Sequence, residues 1–168
     1  LGRYEEAIHM IDARRFHPWE GGEGKVPAQY QLARVELVKA CLKAGENEKA
    51  LFLIEECFIY PHNLGEGKLY GAQENDFNYY KACALQALGR EAEARELFLA
   101  ASTGNSQPAA AMYYNDQKPD KIFYQGLAFR KLGREDEARG CFNRLIDFGE
   151  KYLFDTFKIC LLYTSDAA

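Results

Sequence analysis

LGREAEARELF at 88–98 and LGREDEARGCF at 132–142 are close copies of one another, and LGRYEEAIHMI from Leu1 and AGENEKALFLI from Ala44 align with them without a gap. The four windows start 43, 44 and 44 residues apart. Self-similarity at a period of about 20 to 50 residues marks stacked supersecondary units, each too small to bury its own apolar face alone.

The letters inside the windows say what the unit is. Gly2, Gly45, Gly89 and Gly133 each follow an apolar-periodic stretch, where a residue free to adopt positive φ ends a helix without steric penalty. Acidic residues then open the next segment (Glu5, Glu6, Glu46, Glu91, Glu135), which suits the positive end of a second helix. Within that helix Ala7, Ala50, Ala94 and Ala138 share one register, and Ile11, Ile54, Phe98 and Phe142 follow four residues later on the same face. A small residue lets two helices approach and a large one fills the groove beyond it. The stretches 28–44, 76–88 and 120–132 supply the first helices, with Asp76 and Asp120 placed as N-caps, and with Phe123, Tyr124, Gly126 and Phe129 leading into Gly133. The pattern therefore predicts helix pairs over 28–60, 76–103 and 120–149, a lone second helix over 4–15, and no sheet.

Composition bounds the function. A chain of 168 residues suits one domain. With 48% hydrophobic and 27% charged residues and 5 prolines it has the make-up of a folded protein. The formal net charge of −4 comes with no basic block, which argues against nucleic acid as a partner. Apolar runs such as 51–54 are cut by Glu55 and Glu56, far short of the roughly 20 residues that span a bilayer, so no membrane segment is expected. Cys41, Cys57, Cys83, Cys141 and Cys160 include no Cys-x-x-Cys pair, which fits neither a zinc knuckle nor a disulfide framework and points to a reduced, cytoplasmic setting. Cys41, Cys57 and Cys141 fall at helical positions that favour small core residues. No metal site, cofactor or catalytic centre is called for.

The run of small residue, aromatic, Gly, acid, Ala, then Phe or Ile resembles the tetratricopeptide repeat, over nearly the whole chain up to residue 159. That resemblance implies an all-α solenoid of stacked helix pairs. Two departures stand out: the family's period is about 34 residues, which leaves roughly ten extra residues between each second helix and the next first helix, and the family's first-helix Trp is missing. The last nine residues, CLLYTSDAA at 160–168, resemble the conceptual translation of a transposon-end adaptor used in sequencing libraries and are set aside as a non-native tail. The domain is then 1–159, expected to be a fragment of a longer chain, since 151–159 reads as a helix interrupted partway and Leu1 is not an initiator methionine.

The inserted loops carry the candidate binding residues. FHPWEGGEGK at 16–25 lines up with YPHNLGEGK at 60–68, the two GEGK runs lying 43 residues apart. The candidates are His17, Trp19, Glu20, Glu23 and Lys25 in the first loop, His62, Glu66 and Lys68 in the second, and Tyr113, Tyr114, Asn115 and Asp116 in a third insertion over 104–119 that has lost GEGK. GEGK is not a phosphate-binding loop: Trp19 and His62 stand five residues before Gly24 and Gly67, and Val26 and Leu69 replace the hydroxyl residue. His17 and His62, beside prolines, are either loop-shaping residues or ligands. Trp19 either stacks on a sugar or a partner side chain, or folds back on the helix ends. Glu20, Glu23 and Glu66 are either solvated charges or a glycosidase-like carboxylate set.

FHPWEGGEGKV, GEGKL, YYND and the LGRE repeats together resemble the C-terminal repeat region of bacterial proteins in which a β-rich domain of unknown function, with a carbohydrate-related look, precedes tetratricopeptide-like helices. Two functions follow as expectations. The first is a scaffold that holds a protein segment or the parent chain's own upstream domain. The alternative is an accessory part of a carbohydrate-active enzyme whose inserted loops help line a sugar site. In either case binding is expected on the loops, because the helix faces are committed to packing.

Overall fold

The computed structural model describes residues 2–109 and 116–154. Among these residues the chain is all-helical, with no strand: α1 (Tyr4–Asp12), α2 (Lys25–Ala44), α3 (Asn47–Glu56), α4 (Asn75–Ala87), α5 (Glu91–Ala101), α6 (Asp120–Lys131) and α7 (Glu135–Tyr152), plus one 3-10 turn at His62–Leu64. Tyr113, Tyr114, Asn115 and the 160–168 tail lie outside the described residues. No helix among those described is long and apolar enough to cross a membrane.

The glycines end the first helices in one way three times. At Gly45, Gly89 and Gly133 φ is +79°, +76° and +76°. The following amide reaches back five residues to close the turn: Glu46 N–H to Cys41 O at 2.9 Å, Arg90 to Leu85 at 2.9 Å and Arg134 to Phe129 at 2.9 Å. Each glycine's own amide bonds three residues back, to Leu42, Gln86 and Arg130. This is the left-handed closing motif that satisfies a helix's orphan carbonyls, and an L side chain there would be strained. The second helix starts at once. In three of the four units its first residues carry a guanidinium–carboxylate pair three residues apart: Arg3 with Glu6, Arg90 with Glu93 at 2.6 Å and Arg134 with Glu137 at 2.7 Å.

Packing follows the small-then-large register. Ala50, Ala94 and Ala138 are 0–1% exposed, Ile54 and Phe98 are 0% and 2%, and Phe142 is half-buried. Helix α3 packs on α2 before it and α4 after it, and α5 packs likewise between α4 and α6. The core is correspondingly serial. One cluster joins Val38, Cys41, Ala50, Ile54, Phe77 and Ala84, the next joins Ala82, Leu85, Ala94, Phe98, Ala101 and Ala128, and Leu51 touches both. Each large side chain taken from water contributes about 1.5–3 kcal/mol. In α6 the small residue is Gly126, where an added Cβ would lie 2.5 Å from the Phe142 ring of α7.

Several boundaries differ from the sequence reading, each for a local reason. Helix α2 begins at Lys25, three residues before 28, so Lys25 is a helical residue and not a loop residue. Pro27 falls in its first turn, where a missing N–H costs no hydrogen bond. Helix α3 stops at Glu56 and not at 60, because Tyr60 precedes Pro61 and is disfavoured in helical geometry. Helix α5 ends at Ala101, where Ser102 and Thr103 turn their hydroxyls back to Leu99 O and Ala100 O, both at 2.8 Å. The N-cap expectation fails for Asp76 and Asp120. Both sit inside the first turn, behind Glu74 and Pro119, with no side-chain cap, and Asp76 instead takes the Lys121 ammonium at 2.5 Å, tying α4 to α6.

Candidate functional site

The first two inserted loops interlock. The Phe16 amide donates to Asn63 O at 2.7 Å. Asn63 Nδ2 donates to Ile11 O and Arg14 O, both at 3.0 Å, and so ties the second loop to the C-terminal turn of α1 and the residues just after it. Gly65, at φ +77°, lies so close to this strip that a Cβ would meet Phe16 O at 2.5 Å. Leu64, 1% exposed, seals the contact with Val26, Tyr30, Phe16 and Tyr60.

The second GEGK is held by the first. Glu66 Oε2 accepts the Gly24 amide at 2.6 Å, which sets a carboxylate on the positive end of α2. Lys68 donates to Phe58 O at 3.1 Å and pairs with Glu74. Both residues are therefore engaged inside the chain. His17, Glu20, Glu23, Lys25 and His62 are exposed, and Trp19 is 49% exposed with its ring folded over Gly22, where a Cβ would lie 1.8 Å from the indole. These side chains form no carboxylate pair among the described contacts, and Asp116 is half-buried.

Beneath the loops a charged residue fastens the first three helices. Arg34 is 2% exposed; its Nε meets Glu56 on α3 at 2.8 Å, its Nη2 meets Asp12 on α1 at 2.8 Å, and its plane stacks 3.7 Å from the Tyr30 ring centre. Burial alone would lower its pKa, but the Glu56 bond and the neighbouring charges outweigh that and leave it raised. The third loop is gripped differently, by side-chain amides on backbone carbonyls. Asn75 reaches Ala101 O and Thr103 O at 2.8 and 2.7 Å, and Gln125 reaches Thr103 O and Asn105 O at 3.1 Å each.

No family model matches the chain, and no solved structure matches it.

A second surface escaped the sequence reading. Tyr80 of α4 and Tyr124 of α6 lie 44 residues apart with their hydroxyls at 3.3 Å, and the Lys39 ammonium of α2 stands 5.8 Å from the Tyr80 ring centre, hydrogen-bonded to Glu36 at 2.5 Å. All four side chains are half-buried. Burial, then the Tyr124 hydrogen bond, pushes the Tyr80 phenol far up, so it stays a neutral donor and acceptor. For Lys39 burial is the largest single effect and lowers the pKa, but the Glu36 bond together with the charges of Tyr124, Glu36 and Tyr4 outweighs it and keeps the ammonium charged. Phe123 and Phe142 extend the aromatic strip, with ring centres 5.6 Å from Tyr124 and 5.7 Å from each other respectively. The 44-residue match of Tyr80 with Tyr124 and of both with Glu36 was in the sequence, but only contact shows that they form one track.

Proposed function

We propose that this chain is a tetratricopeptide-like solenoid whose first-helix face holds a polypeptide segment, from another protein or from another part of its own parent chain. The observation that carries the reading is the Glu36–Lys39–Tyr80–Tyr124 track across α2, α4 and α6, in which Glu36, Tyr80 and Tyr124 share one register and Lys39 lies one turn on from Glu36. It offers a fixed cation, phenol hydroxyls and ring faces, a set suited to backbone carbonyls and carboxylates of an extended segment. The thrice-repeated glycine closure and the buried Ala register support the repeat assignment. The period of 43–44 differs from the family's through loops that serve as repeat-to-repeat fasteners, as the Asn63 and Glu66 bonds illustrate.

A photo-crosslinking amino acid placed at Tyr124, and separately at Trp19, in the full-length parent tests the assignment. Polypeptide adducts are expected from Tyr124. Adducts confined to Trp19 would return binding to the loops and refute the face. The half-exposed Trp19 indole favours one alternative, a sugar-stacking position for a carbohydrate-active parent. Trp19 is the sole tryptophan, so its fluorescence reads that alternative directly: no saturable change is expected with soluble oligosaccharides.

A further inference from the structure

We propose that the face of α1 carrying Ala7 and Met10 is the docking site of a further α-helix of the same polypeptide, one that runs antiparallel into Gly2. The proposal rests on the helix-pair repeat described above and names an occupant for its open end. Gly2 has φ +73°, matching the +76° to +79° of the three glycines that each close a first helix. Ala7 is only half-buried, whereas its register mates Ala50, Ala94 and Ala138 are 0–1% exposed under the first helix of their own pair. Met10 is 53% exposed, whereas the residues at its register, Leu53 and Leu97, are half-buried and Cys141 is 0% exposed. Helix α1 thus has the composition of a second helix, yet it buries no residue completely. On the Met10 side of that face a shallow groove runs along α1, lined by Glu5, Glu6, His9, Met10, Ala13 and Arg14.

Three features select a tethered helix over any other occupant. The turn at Gly2 is already shaped as a first-to-second-helix connection, so an attached helix arrives at high effective concentration. The length is set by α2, which runs 20 residues into Gly45. The third feature is Glu23. Its repeat mate Glu66 caps the start of the preceding first helix through the Gly24 amide, whereas Glu23 is exposed. A helix of α2's length ending at Gly2 would begin where Glu23 can accept its first free amide in the same way. The docked face must be apolar and small opposite Ala7.

The experiment compares the 168-residue chain with the same chain extended through its native upstream codons. Met10 oxidation by dilute peroxide, read by peptide mass, should slow at least about 10-fold in the extended protein. Ala7→Leu should leave Tm unchanged in the short chain and lower it by at least about 3 °C in the extended one. Equal oxidation rates, or an Ala7→Leu effect that is the same in both, overturns the proposal. So does an upstream reading frame without a helix-forming segment, and so does a short chain that protects Met10 by dimerising, seen as a concentration-dependent sedimentation coefficient. Ala94→Leu run alongside separates the two readings: if it destabilises while Ala7→Leu is neutral in both proteins, the repeat stands and the docked helix falls.

Discussion

Replacing Ala94 by leucine tests the packing register at its tightest point. Ala94 is 1% exposed and sits in a cluster with Ala82 and Leu85 of α4, Phe98 and Ala101 of its own helix, and Ala128 of α6. Four of those five neighbours are themselves 0–2% exposed alanine or phenylalanine, so the three extra carbons have no solvent to enter and must part α5 from α4 or α6. Overpacking of this kind costs about 1–3 kcal/mol. For a chain of this size that is a fall in Tm of roughly 2–12 °C, at about 2–4 °C per kcal/mol. Ala92→Leu is the control, because Ala92 is exposed on the same helix and should change stability by no more than about 0.5 kcal/mol. Urea denaturation followed by circular dichroism at the helical band measures both variants, with equal slopes confirming that only stability has moved. A neutral Ala94→Leu beside a destabilising Ala92→Leu would mean that the face is assigned wrongly, and the repeat register with it.

Glu66→Ala removes the carboxylate from the Gly24 amide and should cost about 0.5–2 kcal/mol, as loss of a helix cap does; an unchanged melting curve would show that the loops are not fastened there. Gly65→Ala should be worse, since it adds strain at φ +77° to a Cβ only 2.5 Å from Phe16 O, and a fully stable variant would contradict the loop geometry. The Cys57 thiol, buried and pushed up to about 12 by desolvation above all, should resist alkylation at pH 8 in the native protein and react on unfolding. The same shift means that the unfolded chain ionises first as pH rises past 9.0, so Cys57 favours unfolding progressively from there to about 12, and Cys57→Ala should flatten that alkaline loss. At the acid end Glu6, Glu93 and Glu137 are lowered, chiefly by the hydrogen bond from the arginine three residues before each. Their contribution is complete above the ordinary 4.5 and is lost as pH falls through the lowered values, so a triple Glu→Gln variant should show a shallower acid transition.

The sequence by itself determined the helix pairs and the order of their packing. A glycine that must take positive φ, an acidic opening turn, and Ala followed four residues later by Ile or Phe are local requirements, and they recur often enough to be read without contacts. Boundaries slipped where a competing local interaction won, as at Pro27, Pro61 and the Ser102–Thr103 hydroxyls. The loops were legible as a repeat but not in their use. Glu66 and Lys68 looked like candidate ligand groups, and it took the 42-residue separation between Glu66 and Gly24 being closed in space to show a helix cap. Asp76 looked like a cap, and the fold gave it Lys121 of another helix, because the nearest cation decides where a buried carboxylate points. The Lys39–Tyr80–Tyr124 track belongs to the tertiary structure for the same reason: each residue is an ordinary helical position, and only the stacking of α2, α4 and α6 brings the three side chains onto one face. Periodicity tells which side of a helix is buried, whereas which residues meet across three helices depends on how far each unit is shifted and turned on the last, and that is set by the sum of the packing contacts.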